Sequence, residues 1–187
     1  MSESTTYCAS TTEQGQVIDF EAGQRYTTTG GNEYVVDFIA RESGNIVDLF
    51  VVYNKISKEQ DGVQSRFFLK KTTDLKSADS FDEQTSTDTA LETTMGESED
   101  LDISIGQKYQ HFKTNDFYII KAIAHDPVKP KNRFVIYEGQ YDSPDFGHNP
   151  IWVREIGDFT GMKTFGENEL DENGQPKAPV KRFKLIE

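Results

Sequence analysis

Apolar and polar positions along this chain read as β-strands: some segments alternate with a period of two, the period of strands that bury one face, and others are short apolar runs between turn residues. In its second half, "DLDISI" from Asp100 alternates, as a half-buried strand does, and "KYQHF" (108–112) and "FYIIKAIA" (117–124) read as strands. The last two are separated by "KTND", a turn-forming set that predicts a hairpin. "RFVIYE" (133–138) and "PIWVREI" (150–156) read as further strands, and "KRFKLIE" (181–187) as a half-buried one after an Asn173–Gly174 turn. In "KRFKLIE", Phe183 and Leu185 alternate with Arg182 and Lys184. No long segment carries the 3.6-residue helical period. "IGDFTGMKTFG" (156–166) has room for one helical turn, but its glycines favour a loop.

The first half carries the same pattern. At an offset of 83, Ile18, Phe20, Ala22, Gly23, Gln24 and Tyr26 fall on Leu101, Ile103, Ile105, Gly106, Gln107 and Tyr109. Beyond the turn "TTGGNE" (28–33) the offset becomes 84. Tyr34, Val35, Val36, Ile39 and Ala40 then fall on Tyr118, Ile119, Ile120, Ile123 and Ala124. "FVVY" at Phe50 falls on "FVIY" at Phe134, and "FFLK" at Phe67 on "IWVR" at Ile151. Asp74 falls on Asp158, Leu75 on Phe159 and Phe81 on Phe165. One small shift across a whole unit points to a tandem duplication. The expected fold is mainly β, with few or no helices: two copies of a small, strongly twisted antiparallel sheet or SH3-like barrel. The expected organisation is a disordered tail (1–15), a diverged repeat (16–84), an acidic flexible linker (85–100) and a second β domain (101–187). The first copy has no counterpart of the last strand, so its sheet edge must be short, covered or paired with something else.

Charge changes the picture in one place. Of the 32 acids, nine lie between Ser77 and Ser104, where there is no Lys or Arg. Each flank is close to neutral, which argues against a general attraction to nucleic acid or anionic membrane. The acidic stretch reads as a soluble tether, or else as a polyanion mimic that docks on basic residues such as Lys181, Arg182 and Lys184. Cys8 is the only cysteine, so there is no intramolecular disulfide and no cysteine-rich zinc site. The first residues lack the features of a secretory signal, and the longest apolar stretches are far too short to span a bilayer. A cytoplasmic location is the expectation.

The second half resembles the bacterial domain-of-unknown-function family 1653. The residues that carry the likeness are Tyr109, His111, Phe112 and Lys113; Tyr118; Ala124 and His125; Val135, Ile136 and Tyr137; Trp152, Val153 and Arg154; Phe159; and the closing Arg182 and Phe183. Their order and most of their spacing match over nearly all of 105–187. The chain departs from the pattern at Thr114 (glycine expected), Glu155 (proline) and Asp158 (methionine). His125 directly follows Ala124, and the loop "EGQYDSPDFGHNP" (138–150) is longer. In the first half, Thr28, Phe68 and Lys70 replace the histidine, tryptophan and arginine. The resemblance implies a small β fold and no settled activity.

Strand alternation places Tyr109, His111 and Lys113 on one face, and Trp152 with Arg154 on another. If these faces coincide, the second half offers a ligand site of Tyr109, His111, Lys113, His125, Tyr137, Trp152 and Arg154. Arg and Lys suit phosphate or carboxylate, and Trp and Tyr suit a stacked planar group. The competing reading is that the aromatics fill a small core while His111 and Lys113 are solvated. His111, His125 and His148 lie far apart in sequence, with no carboxylate at a diagnostic spacing, so no metal is expected. No nucleophile elbow, phosphate-cradling loop or Cys–His signature is present. Asp142 and Asp145 read as a solvated turn, and no catalytic residue or cofactor is assigned. A non-enzymatic binding module for a small anionic or nucleotide-like ligand is expected. The alternative is a protein-interaction module working through sheet edges or the acidic stretch.

Overall fold

The computed structural model describes residues 8–13, 16–42, 45–56, 67–82, 102–129 and 131–186. The acidic stretch 85–100 lies outside them. The chain is mainly β, as its sequence pattern predicts. The strands in order are β1 (Cys8–Glu13), β2 (Gln16–Glu21), β3 (Arg25–Thr27), β4 (Glu33–Glu42), β5 (Asn45–Ile56) and β6 (Phe67–Lys71). Then come β7 (Lys108–His111), β8 (Phe117–His125), β9 (Arg133–Gly139), β10 (Asp142–Ser143), β11 (Gly147–His148) and β12 (Ile151–Glu155). A five-residue helix α1 (Ile156–Thr160) precedes β13 (Met162–Lys163), β14 (Val180–Lys181) and β15 (Phe183–Leu185).

Six strands close into a barrel in the order β8-β6-β5-β4-β12-β9, with β9 pairing back to β8. Three come from each half of the chain. Pairing is antiparallel within each half, but both seams between the halves are parallel: β6 with β8, and β12 with β4. The small β barrel is thus one barrel built from both halves, with parallel as well as antiparallel pairing. Neither half closes by itself: the outer edges of β6 and β12 pair only with β8 and β4 of the other half, while β3 and β7 cover just the first residues of β4 and β8.

The halves share one register. Val36 pairs with Tyr53 and Phe38 with Val52, skipping Asp37 in a bulge. Eighty-four residues on, Ile120 pairs with Tyr137 and Ala122 with Ile136, skipping Lys121. The turns before β3 and β7 also match. Gly23 and Gly106 adopt φ of 89° and 90°, a region open to glycine, and donate to the Val36 and Ile120 carbonyls.

Side chains sort onto two faces. Ala40, Phe50, Val52, Leu69, Ala122, Ala124, Ile136 and Val153, joined by Phe38, Phe67, Phe134 and Ile151, pack together from all six strands and fill the barrel. Outward-facing residues form two further clusters. One, around Tyr34, Tyr53, Phe68 and Phe81, belongs to the first half; the other, around Tyr118, Tyr137, Trp152, Phe159 and Phe183, to the second.

Four local expectations change. The described residues of "DLDISI", 102–105, form no strand and lead into the turn at Gly106. Residues 8–13, read as tail, form β1 against β2, with Thr11 opposite Ile18 and Thr12 opposite Val17; β-branched residues stabilise such a ladder where a partner strand exists. The glycine-containing segment after β12 is helical over α1, because burying Phe159 outweighs a weak local preference. Phe81 does not correspond in place to Phe165. It stacks on Tyr34 and packs edge-on against Tyr53, the role that Phe183 fills against Tyr118 and Tyr137.

Candidate functional site

The polar residues gather where β7, β12, α1 and β15 meet on the outer face of the second half. Register places His111 opposite Phe183, and Arg154 opposite Val135. Phe183 forms the floor. It stacks on Phe159 with ring centroids 4.2 Å apart and planes 10° from parallel. Such a pair contributes about 0.5–1.5 kcal/mol beyond the area it buries. The Arg154 guanidinium lies 5.8 Å above the Phe183 ring, and the His111 ring 5.0 Å from it.

Asp158 ties the cations together. One turn along from Arg154, it pairs with that guanidinium, while its other oxygen accepts from Arg182 at 3.0 Å. Arg154 Nε donates to the Tyr137 hydroxyl at 3.4 Å. The two arginine side chains are 13% and 23% exposed, against 46% for Asp158, so the carboxylate is the outermost of the three. Arg182 Nε is buried and has no hydrogen-bond partner among the described residues. Burial first, and then the Arg154 and Arg182 charges, push the His111 pKa below its ordinary value, with Asp116 opposing. His111 is therefore neutral at neutral pH.

Arg182 is the residue that alternation misplaces. "KRFKLIE" is not one strand: β14 ends at Lys181 and pairs with β13, while β15 starts at Phe183 and pairs with β7. Arg182 sits at the corner, its carbonyl accepting from the Phe112 amide and its amide donating to the Gly161 carbonyl. The bend turns its side chain toward Asp158. Its place beside Phe183 in the family-like ending was the available signal; Asp158 was legible only as four residues beyond Arg154.

The other expected site residues are dispersed. Tyr109 is buried against Phe159, with its hydroxyl donating to Gln107 Oε1 at 3.0 Å. Tyr137 is buried beneath the cluster, where it accepts from Arg154. Lys113 is exposed in the turn after β7, which ends at His111, so strand alternation does not reach it. Its charge still acts on His111. Trp152 shares its strand face with Arg154 but is 9% exposed. The long loop covers it: Phe146 packs edge-on at 5.1 Å, and Trp152 Nε1 donates to the Tyr141 hydroxyl at 3.1 Å. His125 ends β8 in the opposite seam, across from Phe68 and Arg133. His148 pairs with Asp142 across the small β10–β11 hairpin, both exposed. Among the described residues, no three His, Cys, Asp or Glu side chains come together to hold a metal.

The equivalent place in the first half is filled by its own groups. Thr28 stands where His111 does, and Asp82 accepts from Asn32 Nδ2 at 2.9 Å and from the Tyr34 hydroxyl at 2.8 Å. Lys70, in the place of Arg154, is buried and donates to the Ser80 carbonyl.

Residues 107–185 match the family model described as "Protein of unknown function (DUF1653)". The match covers the second half and includes every residue of the cluster. No curated protein and no solved structure matches the chain. No helix of the described residues is long and apolar enough to cross a membrane.

Proposed function

We propose that the chain is a non-enzymatic binding module whose second half holds a small anion at His111, Arg154 and Arg182. The observation that supports this most is the shared carboxylate. Two partly buried guanidiniums converge on Asp158, and Arg182 Nε has no acceptor among the described residues. One carboxylate against two guanidiniums leaves an excess of positive charge where water is scarce, and planar guanidinium forks suit phosphate or carboxylate oxygens. An incoming anion meets Arg182 from the exposed side of Asp158. The aromatic rings that would have stacked a nucleobase, Tyr109 and Trp152, are buried. The reading therefore narrows to the anionic group itself. The first half, which fills the matching place with Asp82, has no such role.

Calorimetric titration with inorganic phosphate, pyrophosphate and citrate at low salt tests this. Saturable binding that weakens at least tenfold in Arg182→Gln supports it. No heat with any of the three at millimolar concentration, together with no mass excess in native spectra of freshly purified protein, would refute it.

A second reading rests on one edge. β3 pairs only with β4 among the described residues, whereas its counterpart β7 also pairs with β15. A partner strand added at β3 would make the halves alike, as in strand-addition complexes. Pull-down with wild type against Thr27→Pro, which removes an N–H on the side of β3 away from β4, separates this reading from the first.

A further inference from the structure

We infer that the two parallel seams of the barrel are an interface between complementary half-barrels, and that a second copy of this chain fits them by exchanging first halves. The argument begins with register. In one seam Phe67 lies opposite Ala124, and Phe68 opposite His125. In the other Trp152 lies opposite Arg41, and Val153 opposite Glu42. An offset of 84 carries Phe68 onto Trp152 and Arg41 onto His125. The pair Phe68–His125 and the pair Trp152–Arg41 are therefore one contact made twice. With the matched bulges at Asp37 and Lys121, this is the geometry of two copies of a unit related by a two-fold axis through the barrel.

Interior volume decides which halves fit. Equivalent positions in the barrel carry Phe38 with Ala122, Phe67 with Ile151, and Val52 with Ile136. The first half is larger at two of these positions and the second at one. Two second halves would set Ala122 where Phe38 belongs and leave a void, while two first halves would crowd two Phe38 rings. A first half thus closes best on a second half, and nothing in the seams records which molecule supplies it. The 19 residues between Asp82 and Asp102 reach about 60 Å when extended. That is enough for a first half to close on a neighbouring molecule with every strand pairing kept. A partner half can then be supplied in trans by a second copy of this chain.

The test uses full-length chains with a specific protease site inserted between residues 85 and 100. Isotopically heavy and light pools are unfolded together, refolded at high concentration, cleaved and read by native mass spectrometry. Particles that pair a heavy first half with a light second half are expected, and they should stay intact after cleavage. Only heavy–heavy and light–light pairs would overturn the exchange. Halves that separate once the link is cut would overturn the interface itself. Mixing the pools only after each has been cleaved shows whether exchange also occurs between closed barrels.

Discussion

Tyr53 on β5 and Tyr137 on β9 are equivalent residues with unequal hydroxyls. Both rings are buried, and each lies one register step from a bulge. The Tyr137 hydroxyl accepts from Arg154, whereas that of Tyr53 has no partner among the described residues. The difference traces to Lys70, which stands where Arg154 does but reaches the Ser80 carbonyl instead. Tyr53→Phe is therefore expected to be neutral or to stabilise by up to about 1 kcal/mol, and Tyr137→Phe to cost about 1–2 kcal/mol. Urea denaturation of both variants checks the opposite signs; equal losses would show that the Tyr53 hydroxyl is satisfied.

Asp37 is the bulge residue of β4, half-buried and bonded by Asn54 Nδ2 at 3.0 Å. Burial raises its carboxyl above the ordinary value, while the Asn54 bond opposes that shift. Because the folded value is the higher one, the native state binds the proton more tightly. The penalty is then full at neutral pH and fades as pH falls through the carboxylate range. Asn54 Oδ1 beside it is buried and has no hydrogen-bond partner among the described residues. Asp37→Asn supplies an amide donor and removes the charge, so it should stabilise by about 1 kcal/mol at pH 7 and less at pH 3.5. Thermal melts at the two pH values decide this.

The binding reading has its own pH signature. His111 titrates below its ordinary value of 6.5 in the folded protein, so between the two values the unfolded chain holds more protons. Stability should fall as pH drops through that window, and His111→Gln should flatten the fall. A bound anion favours the imidazolium. Because these anions also take up a proton in this range, the quantity to follow is the ratio of wild-type to His111→Gln affinity for phosphate or pyrophosphate, which should rise as pH drops from 8 to 5. An identical profile in both would remove His111 from the site.

Asp158 is the resident anion of that cluster. Replacing it by Asn leaves two guanidiniums facing solvent, which should strengthen phosphate binding several-fold and cost about 1 kcal/mol in stability. Lys129→Gln, which removes an exposed positive charge in the turn between β8 and β9, should change neither by more than experimental error. Equal binding by wild type and Asp158→Asn would place any anion elsewhere.

Gly139 ends β9 beneath the long loop. A Cβ there would lie 2.5 Å from Tyr141 Cε1 and 2.9 Å from its Cζ. Gly139→Ala must push the Tyr141 ring off, and with it the hydroxyl that holds Trp152 Nε1. A loss of about 1–3 kcal/mol is expected. Trp152 is the only tryptophan, so its emission should shift to the red. Unchanged emission would mean that the loop cover is not fixed.

Short apolar runs bounded by turn residues were enough to place most strands, since a barrel strand that buries one face inside and one under an outer cluster reads as a near-continuous apolar run. The partnership of the strands was not legible. Periodicity says which residues share a face, not whether β12 lies beside β4 or beside a strand of its own half. The parallel seams rest on shape that both halves share. For the site, His111 and Arg154 were recoverable from residue type, and Arg182 was lost to an assumed straight strand. Trp152 and Tyr109 illustrate the limit of chemistry read from residue type: the same rings that suit a ligand also fill an outer core, and here burial decided the matter.

The interleaving of strands bears on how the chain is made. During synthesis, β4, β5 and β6 leave the ribosome well before β8 and β12 exist to cover their edges. Until residues beyond Val153 emerge, the nascent chain carries two open strand edges and the Phe38 and Phe67 rings without a wall to face. Truncated translation products that end in the acidic stretch should therefore be the aggregation-prone species of this protein, and a pause downstream of that stretch would lengthen their exposure.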